Sequence, residues 1–162
     1  MPWLRYAWVN IGIVSVIAAG CVSQESNLEC PSGSTEFGGA PPLGNRKFCG
    51  YKDSAVVGWV SKHGPWKFWW PNGQLQSDGE YVKNKKHGLF TRWYFNGVKV
   101  RQGRYRNNAK VGIWTAWRRD GTLKSKIQYR RGLMHGFRRI YDEEGQLKLE
   151  LWYRDGKKSD PL

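Results

Sequence analysis

From residue 64 onward, short runs of aromatic and β-branched residues alternate with polar turns on a fixed beat. Segments 66–70, 90–95 and 114–117 are each about five residues long, too short for helices and rich in side chains that suit a pleated sheet. Each is followed by a turn pair: Asn72-Gly73, Asn96-Gly97, Asp120-Gly121 and, in the last unit, Glu144-Gly145. Asn-Gly and Asp-Gly between apolar runs are strong hairpin signals, because a type I′ turn needs positive φ at both central positions. A second run then leads to a Tyr, and a polar loop such as Lys83-Asn84-Lys85-Lys86 returns the chain to the next unit. Each unit reads as a β-hairpin. The whole reads as an all-β, elongated, single-layer antiparallel meander of about eight strands.

The beat is 24 residues, without insertions, over four units: 64–87, 88–111, 112–135 and 136–158. Gly64, Gly88, Gly112 and Gly136 share one phase, and Gly73, Gly97, Gly121 and Gly145 a second. Tyr81, Tyr105, Tyr129 and Tyr153 share a third, and Trp69, Trp93, Trp117 and Tyr141 a fourth. A weaker row reads Trp66, Phe90, Trp114 and Arg138. Fixed periods of about 20–50 residues mark solenoids and arrays. If the Asn-Gly loop has two residues, Trp66 lies opposite Gly79 and Trp70 opposite Leu75. A four-residue second loop puts Tyr81 opposite Gly88, Tyr105 opposite Gly112 and Tyr129 opposite Gly136, each ring shielding a bare backbone. The Trp69 row then points to the face opposite the Tyr81 row. A single-layer sheet must make its core from large side chains lying over neighbouring strands, so these Trp serve as core or as an exposed grip.

The segments Gly64-Pro-Trp-Lys-Phe-Trp-Trp-Pro-Asn-Gly-Gln-Leu75 and Gly79-Glu-Tyr-Val-Lys-Asn-Lys-Lys-His-Gly88 resemble MORN-type repeats. They are most similar to the bacterial variant with a Gly-x-Trp-x-x-Trp-Tyr-x-Asn-Gly core, found in proteins labelled YwqK-like antitoxins. The resemblance covers residues 57–158. It implies a curled single-layer sheet that binds proteins or lipid head groups and is not catalytic. The last unit departs from the pattern, with Arg138 in the Trp position and Leu147, Leu149 and Leu151 in its second strand. That suits a terminal cap, since end repeats of arrays are atypical.

Residues 1–20 read differently. The apolar stretch 7–19 is about 13 residues long, shorter than the ~20 a spanning helix needs, and it fits the apolar region of a secretory signal. Ile17-Ala18-Ala19-Gly20-Cys21 resembles a bacterial lipobox, which implies lipidation of Cys21; the alternative is a plain signal peptide or an uncleaved anchor with an incidental Cys. Cys30 and Cys49 then form an even pair in an oxidising compartment, where a disulfide is expected. Residues 21–55 read as a linker and a disulfide-closed cap loop without strand period, and 56–158 as the repeat domain. Within it, 56–61 align with the second strand of a preceding unit. The charged, Pro-containing C-terminus, ending in a tail at 159–162, suits a blocked sheet edge.

Composition narrows the function. The 162 residues include ten Trp, eight Tyr, six Phe and twenty Gly, with a mean hydropathy of −0.68. That excludes a disordered chain and a polytopic membrane protein. The formal net charge is +14, and residues 58–158 hold 23 Lys or Arg against eight Asp or Glu. Basic residues beside aromatics, in Arg92-Trp93-Tyr94 and Trp117-Arg118-Arg119, suit stacking together with anion contact. Export argues against nucleic acid as the anion. Phospholipid, lipopolysaccharide, a wall polymer or an acidic protein remains. The candidate binding face is therefore Trp69, Trp93, Trp117 and Tyr141 with Arg92, Arg118 and Arg119. His63, His87 and His135 fall at one phase and read as turn residues, and Asp142-Glu143-Glu144 as a solvated loop. No catalytic set, metal site or cofactor is expected. The expected role is a lipid-anchored scaffold in the bacterial envelope, at the outer membrane facing the periplasm, that binds a protein or envelope component. The alternatives are recognition of anionic lipid or glycan, and neutralisation of a toxin.

Overall fold

The computed structural model describes residues 27–52 and 60–161. The expected signal, Cys21, most of segment 56–61 and Leu162 lie outside the described residues. The described residues form one antiparallel sheet of 11 strands in which every strand pairs with its sequence neighbours. The repeat strands are β3 (Val60–Trp69), β4 (Leu75–Val82), β5 (Lys85–Trp93), β6 (Lys99–Arg106), β7 (Ala109–Trp117), β8 (Leu123–Arg130), β9 (Leu133–Tyr141) and β10 (Leu147–Arg154). These are the eight strands the repeat requires. The ends add three more: β1 (Thr35–Gly39), β2 (Arg46–Lys52) and β11 (Lys157–Ser159).

The segment expected to be an irregular cap loop is thus a hairpin that extends the sheet. Its sequence lacks clear alternation, and its pairing with β3 and one disulfide hold it in the sheet. Cys30 and Cys49 are joined, with Cα atoms 5.5 Å apart and 19 positions apart in sequence. Cys49 is fully buried. Phe37 stacks on Phe48 at 5.5 Å. Glu36 pairs with Lys47 at 2.6 Å and accepts the Leu28 N–H at 2.7 Å. Despite a desolvation cost, these contacts hold the Glu36 carboxyl below its ordinary range.

The two kinds of turn are exchanged relative to expectation. Trp70 bonds Gln74, with its N–H donated to the Gln74 carbonyl at 2.7 Å, and Gly73 N–H closes a turn onto Trp70 O at 2.9 Å. The loop therefore has three residues, with only the Gly left-handed (φ 82° at Gly73), as in a type I turn followed by a bulge. Pro71 explains this locally, because its ring fixes the first loop position at negative φ. Asn72 Oδ1 accepts the Gln74 N–H at 3.1 Å, an Asx turn that suits this geometry. The type I′ turns instead occupy the polar loops, where both central residues have positive φ: 47° and 63° at Lys83-Asn84, 52° and 67° at Asn107-Asn108. Lys85 and Lys86 consequently belong to β5 and not to a four-residue loop.

This change moves the Tyr register. Tyr81 lies opposite Gly64, Tyr105 opposite Gly88, Tyr129 opposite Gly112 and Tyr153 opposite Gly136. Each Tyr faces the Gly of its own hairpin, not of the next. The expected pair Trp66–Gly79 is present, while Trp69 and not Trp70 lies opposite Leu75, because a bulge intervenes.

Consecutive units are clasped at both edges. Lys62 donates its N–H to Asn84 Oδ1 at 2.8 Å, and the Asn84 N–H returns a bond to Lys62 O at 2.9 Å. Lys86 and Asn108 repeat the pair at 2.7 and 2.9 Å. At the other edge, Asn72 Nδ2 reaches Phe95 O and Asn96 Nδ2 reaches Arg119 O.

The core lies on one face. Trp66, Phe90 and Trp114 are its buried residues, with Phe48, Phe68, Tyr81, Tyr105 and Tyr129 packed against them. The row that looked weakest in sequence is the one that is buried. Its rings lie over bare backbone: a Cβ at Gly103 would come within 2.3 Å of the Trp114 ring, and one at Gly79 within 3.1 Å of Trp66. Gly103→Ala is expected to cost about 1–3 kcal/mol by overpacking. Gly145→Ala, where a Cβ meets open space at φ 80°, is expected to cost about 1 kcal/mol from the left-handed backbone alone. Urea unfolding of the two variants tests the ranking; equal midpoints would refute the ring-over-glycine packing.

Candidate binding faces

The aromatic face is a continuous ladder. Trp66 and Phe90 have centroids 6.0 Å apart, Phe90 and Trp114 5.9 Å, with Tyr81, Tyr105 and Tyr129 set at 5.7, 4.9 and 6.4 Å from the nearest of these rings. Three lysines spaced by 24 residues cover it. Lys62 sits over Phe48 and Tyr81, Lys86 over Phe90 and Tyr105, and Lys110 over Trp114 and Tyr129, all within 5.4 Å of the ring centroids. Each ammonium is attracted by the negative faces of two rings. Burial, reinforced by the Arg101 charge, lowers the Lys110 pKa below its usual value. In the last unit Met134 takes the lysine position and Arg138 the ring position, its Nη1 3.5 Å from Tyr153 Oη. This face is largely filled by its own side chains. The lysine row was visible in the sequence as a period of 24 and was missed there, because Lys is ordinarily a solvated residue.

The opposite face holds the Trp69 row. Alternation along each strand places Trp69, Trp93, Trp117 and Tyr141 there, half-buried, across from Leu75, Lys99, Leu123 and Leu147. Lys99 Nζ lies 5.8 Å from the Trp117 centroid. Beside this row a polar ladder crosses the strands: Lys67 pairs with Asp78, Asp78 with Thr91, Thr91 with Gln102, Gln102 with Thr115, Thr115 with Lys126 and Lys126 with Arg139. Gln102 Nε2 donates to Thr91 Oγ1 at 3.1 Å, and Arg139 pairs with Glu150 at 2.6 Å. Desolvation raises the Asp78 pKa above its ordinary value, opposed by bonding to Thr91. Toward the type I′ turns this face carries Leu89, Ile113 and Leu133, each about half exposed, with Arg104, Arg106 and Arg130 at the neighbouring ladder positions.

The three arginines of the candidate face separate. Arg118 is committed to structure: Nη1 donates to Leu123 O at 2.9 Å and Nη2 to Tyr141 O at 2.6 Å. Arg92 lies opposite Arg101, and Arg119 is exposed beside a turn. Arg92, Trp93 and Arg119 meet around a recess of about 450 Å³ at the edge formed by the Asn-Gly turns, together with Trp70, Tyr94 and Phe95. Trp69, Trp117 and Tyr141 do not line it. The histidines are strand residues rather than turn residues. His63 Nδ1 accepts the Lys83 N–H and His135 Nδ1 the Asp155 N–H, each at 3.4 Å, so each braces, from the strand alongside, the type I′ turn that follows the next strand. No group of three or more metal-ligating side chains occurs among the described residues.

Residues 62–83 and 86–107 match the MORN repeat variant. Each matched MORN segment is one hairpin, β3–β4 and β5–β6, with Gly79 or Gly103 beneath a core ring. The two later units keep the hairpin but replace that glycine by Ile127 and Leu151. MORN repeats suggest a scaffold for binding and are generally non-catalytic. No curated protein matches the chain.

Two outcomes follow from the division of labour between faces. Trp114→Ala is expected to cost about 3–5 kcal/mol and Trp117→Ala clearly less; chemical unfolding that ranks them the other way would place the core on the wrong side. Asp78 has a raised native pKa, so its ionised form is disfavoured by folding, and the penalty is present above that pKa and disappears as pH falls through it. Asp78→Asn is therefore expected to stabilise the protein at pH 7, with the gain shrinking as pH is lowered toward the unfolded carboxyl range. A pH series of urea midpoints for both proteins checks the sign.

Proposed function

We propose that the chain is a non-catalytic repeat scaffold of the bacterial cell envelope, anchored by lipid on Cys21, that binds a protein or an anionic envelope component. The observation that carries this reading is the unlayered sheet. Its aromatic face is occupied by its own Lys and Tyr side chains, while the other leaves apolar residues and unneutralised cations accessible. Arg104 and Arg106 take part in no ion pair among the described residues, and Leu89 and Ile113 stand beside them. The 23 cations against eight acids over residues 58–158 make an anionic partner the natural complement.

A second reading, direct binding of anionic lipid or glycan, draws on the same face. Each well-placed Lys or Arg near an anionic leaflet contributes on the order of 1 kcal/mol, and the exposed Leu89, Ile113 and Leu133 suit the head-group region. Partners are distinguished by crosslinking in cells with mass-spectrometric identification.

Lipidation is tested by Cys21→Ser. Palmitate incorporation and membrane fractionation are both expected to be lost; their retention would show that the anchor lies elsewhere. Binding of the full chain to vesicles containing phosphatidylglycerol, compared with vesicles of phosphatidylcholine alone, is expected to weaken steeply as salt rises and again in the double variant Arg104→Ala/Arg106→Ala. Salt-independent binding would remove the electrostatic basis of the second reading.

A further inference from the structure

The recess at the Asn-Gly turn edge departs from the repeat in a way the fold does not require. Shifting its lining by 24 residues replaces Arg92 by Ala116, Phe95 by Arg119 and Arg119 by Glu143. Architectural positions recur at this period; these do not. Its lining is specific: the aromatic residues Trp70, Trp93, Tyr94 and Phe95 with Val100, and the two arginines Arg92 and Arg119. Trp70 and Phe95 support each other edge to face at 6.1 Å. Tyr94 is held by its hydroxyl, which donates to Trp117 O at 3.3 Å. The walls are thus pre-positioned. Neither arginine is in an ion pair among the described residues, and no carboxylate lines the recess.

We propose that this recess binds an anionic sugar, a pyranose ring bearing one carboxylate or phosphate. An aromatic wall offers a flat apolar surface to the C–H face of such a ring. A guanidinium fork matches a carboxylate or phosphate in two parallel bonds. About 450 Å³ falls within the range of small-ligand sites and accommodates one or two sugar rings. The inference rests on the reading of the chain as a binder of anionic envelope components and gives that reading a second, more selective site at the sheet edge. The sugar can be free or part of a polymer; the recess recognises the same unit in both.

The test uses the full chain in detergent, with glucuronic acid, glucose 6-phosphate, glucose and inorganic phosphate as probes, followed by the indole N–H signals in NMR. The two anionic sugars are expected to shift the Trp70 signal at millimolar concentration, while glucose and inorganic phosphate produce little change. Loss of a charge-assisted pair in Arg119→Gln is expected to weaken binding at least about tenfold, with Arg92→Gln acting in the same direction and folding unchanged by circular dichroism. Saturable binding of a glucuronate-containing polysaccharide, lost in the same variants, identifies the polymer as a source; binding of the monosaccharide alone identifies the free sugar. Equal shifts from glucose or from inorganic phosphate would overturn the proposal, as would unchanged affinity in both arginine variants. Salt-sensitive vesicle binding that persists while anionic sugars fail would overturn the recess and leave the broader reading standing; failure of both would remove that reading too.

Discussion

A sheet one layer thick has no second layer to bury its apolar face, so its stability depends on side chains that reach across the strands of the same face. Here the decisive contact is an aromatic ring laid over a glycine of the neighbouring strand, Trp66 over Gly79 and Trp114 over Gly103. The ring covers backbone that would otherwise be hydrated, and the missing Cβ lets it lie flat. Tyr105 and Tyr129 then pack edge-on against those rings, Tyr81 tilts against Trp66, and the lysines lie over rings of both kinds. An ordinary globular core buries aliphatic side chains from several directions. This one is a ribbon of tilted and edge-on aromatic rings, with cations supplying the outer layer.

Because that ribbon occupies one face, the two faces have become different materials. The aromatic face is consumed in holding the sheet together. The other carries a polar ladder, braced where Gln102 meets Thr91 and Arg139 meets Glu150, and beyond it an accessible mixture of Leu, Ile and Arg. Binding chemistry is free to vary there and at the turn edges without disturbing the ribbon. A scaffold needs that separation.

Most of the architecture was legible because a strict period forces equivalent residues into equivalent places. The strands, the in-phase glycines and the Cys30–Cys49 bridge could all be read from spacing and cysteine parity. The errors were local and physical. Asn-Gly suggested a type I′ turn, but Pro71 and the Asn72 side chain favour a three-residue loop, and the left-handed pair sits instead at Lys83-Asn84 and its equivalents. That shift of loop length moved each tyrosine to the glycine of its own hairpin. The Trp66 row was underrated because Arg138 breaks it in the last unit, although that unit is an end where the ribbon needs no further ring. The candidate face mixed residues of different fates: Arg118 serves turns, while Arg92 and Arg119 converge on a recess. No spacing rule reveals that convergence, since it arises where the repeat is broken. The β1–β2 hairpin was illegible for the opposite reason, being imposed by a crosslink and by its neighbour rather than by its own alternation.

The reciprocal bonds between Lys62 and Asn84, repeated between Lys86 and Asn108, join each hairpin only to the one beside it. Strand pairing among the described residues likewise runs only between sequence neighbours. The number of units is therefore not fixed by any closure condition, as it would be in a barrel. Loss or gain of 24 residues in phase leaves every remaining register intact and changes only the length of the ribbon. Such a molecule can be measured out by gene duplication, its reach set in steps of one hairpin while its ends stay the same.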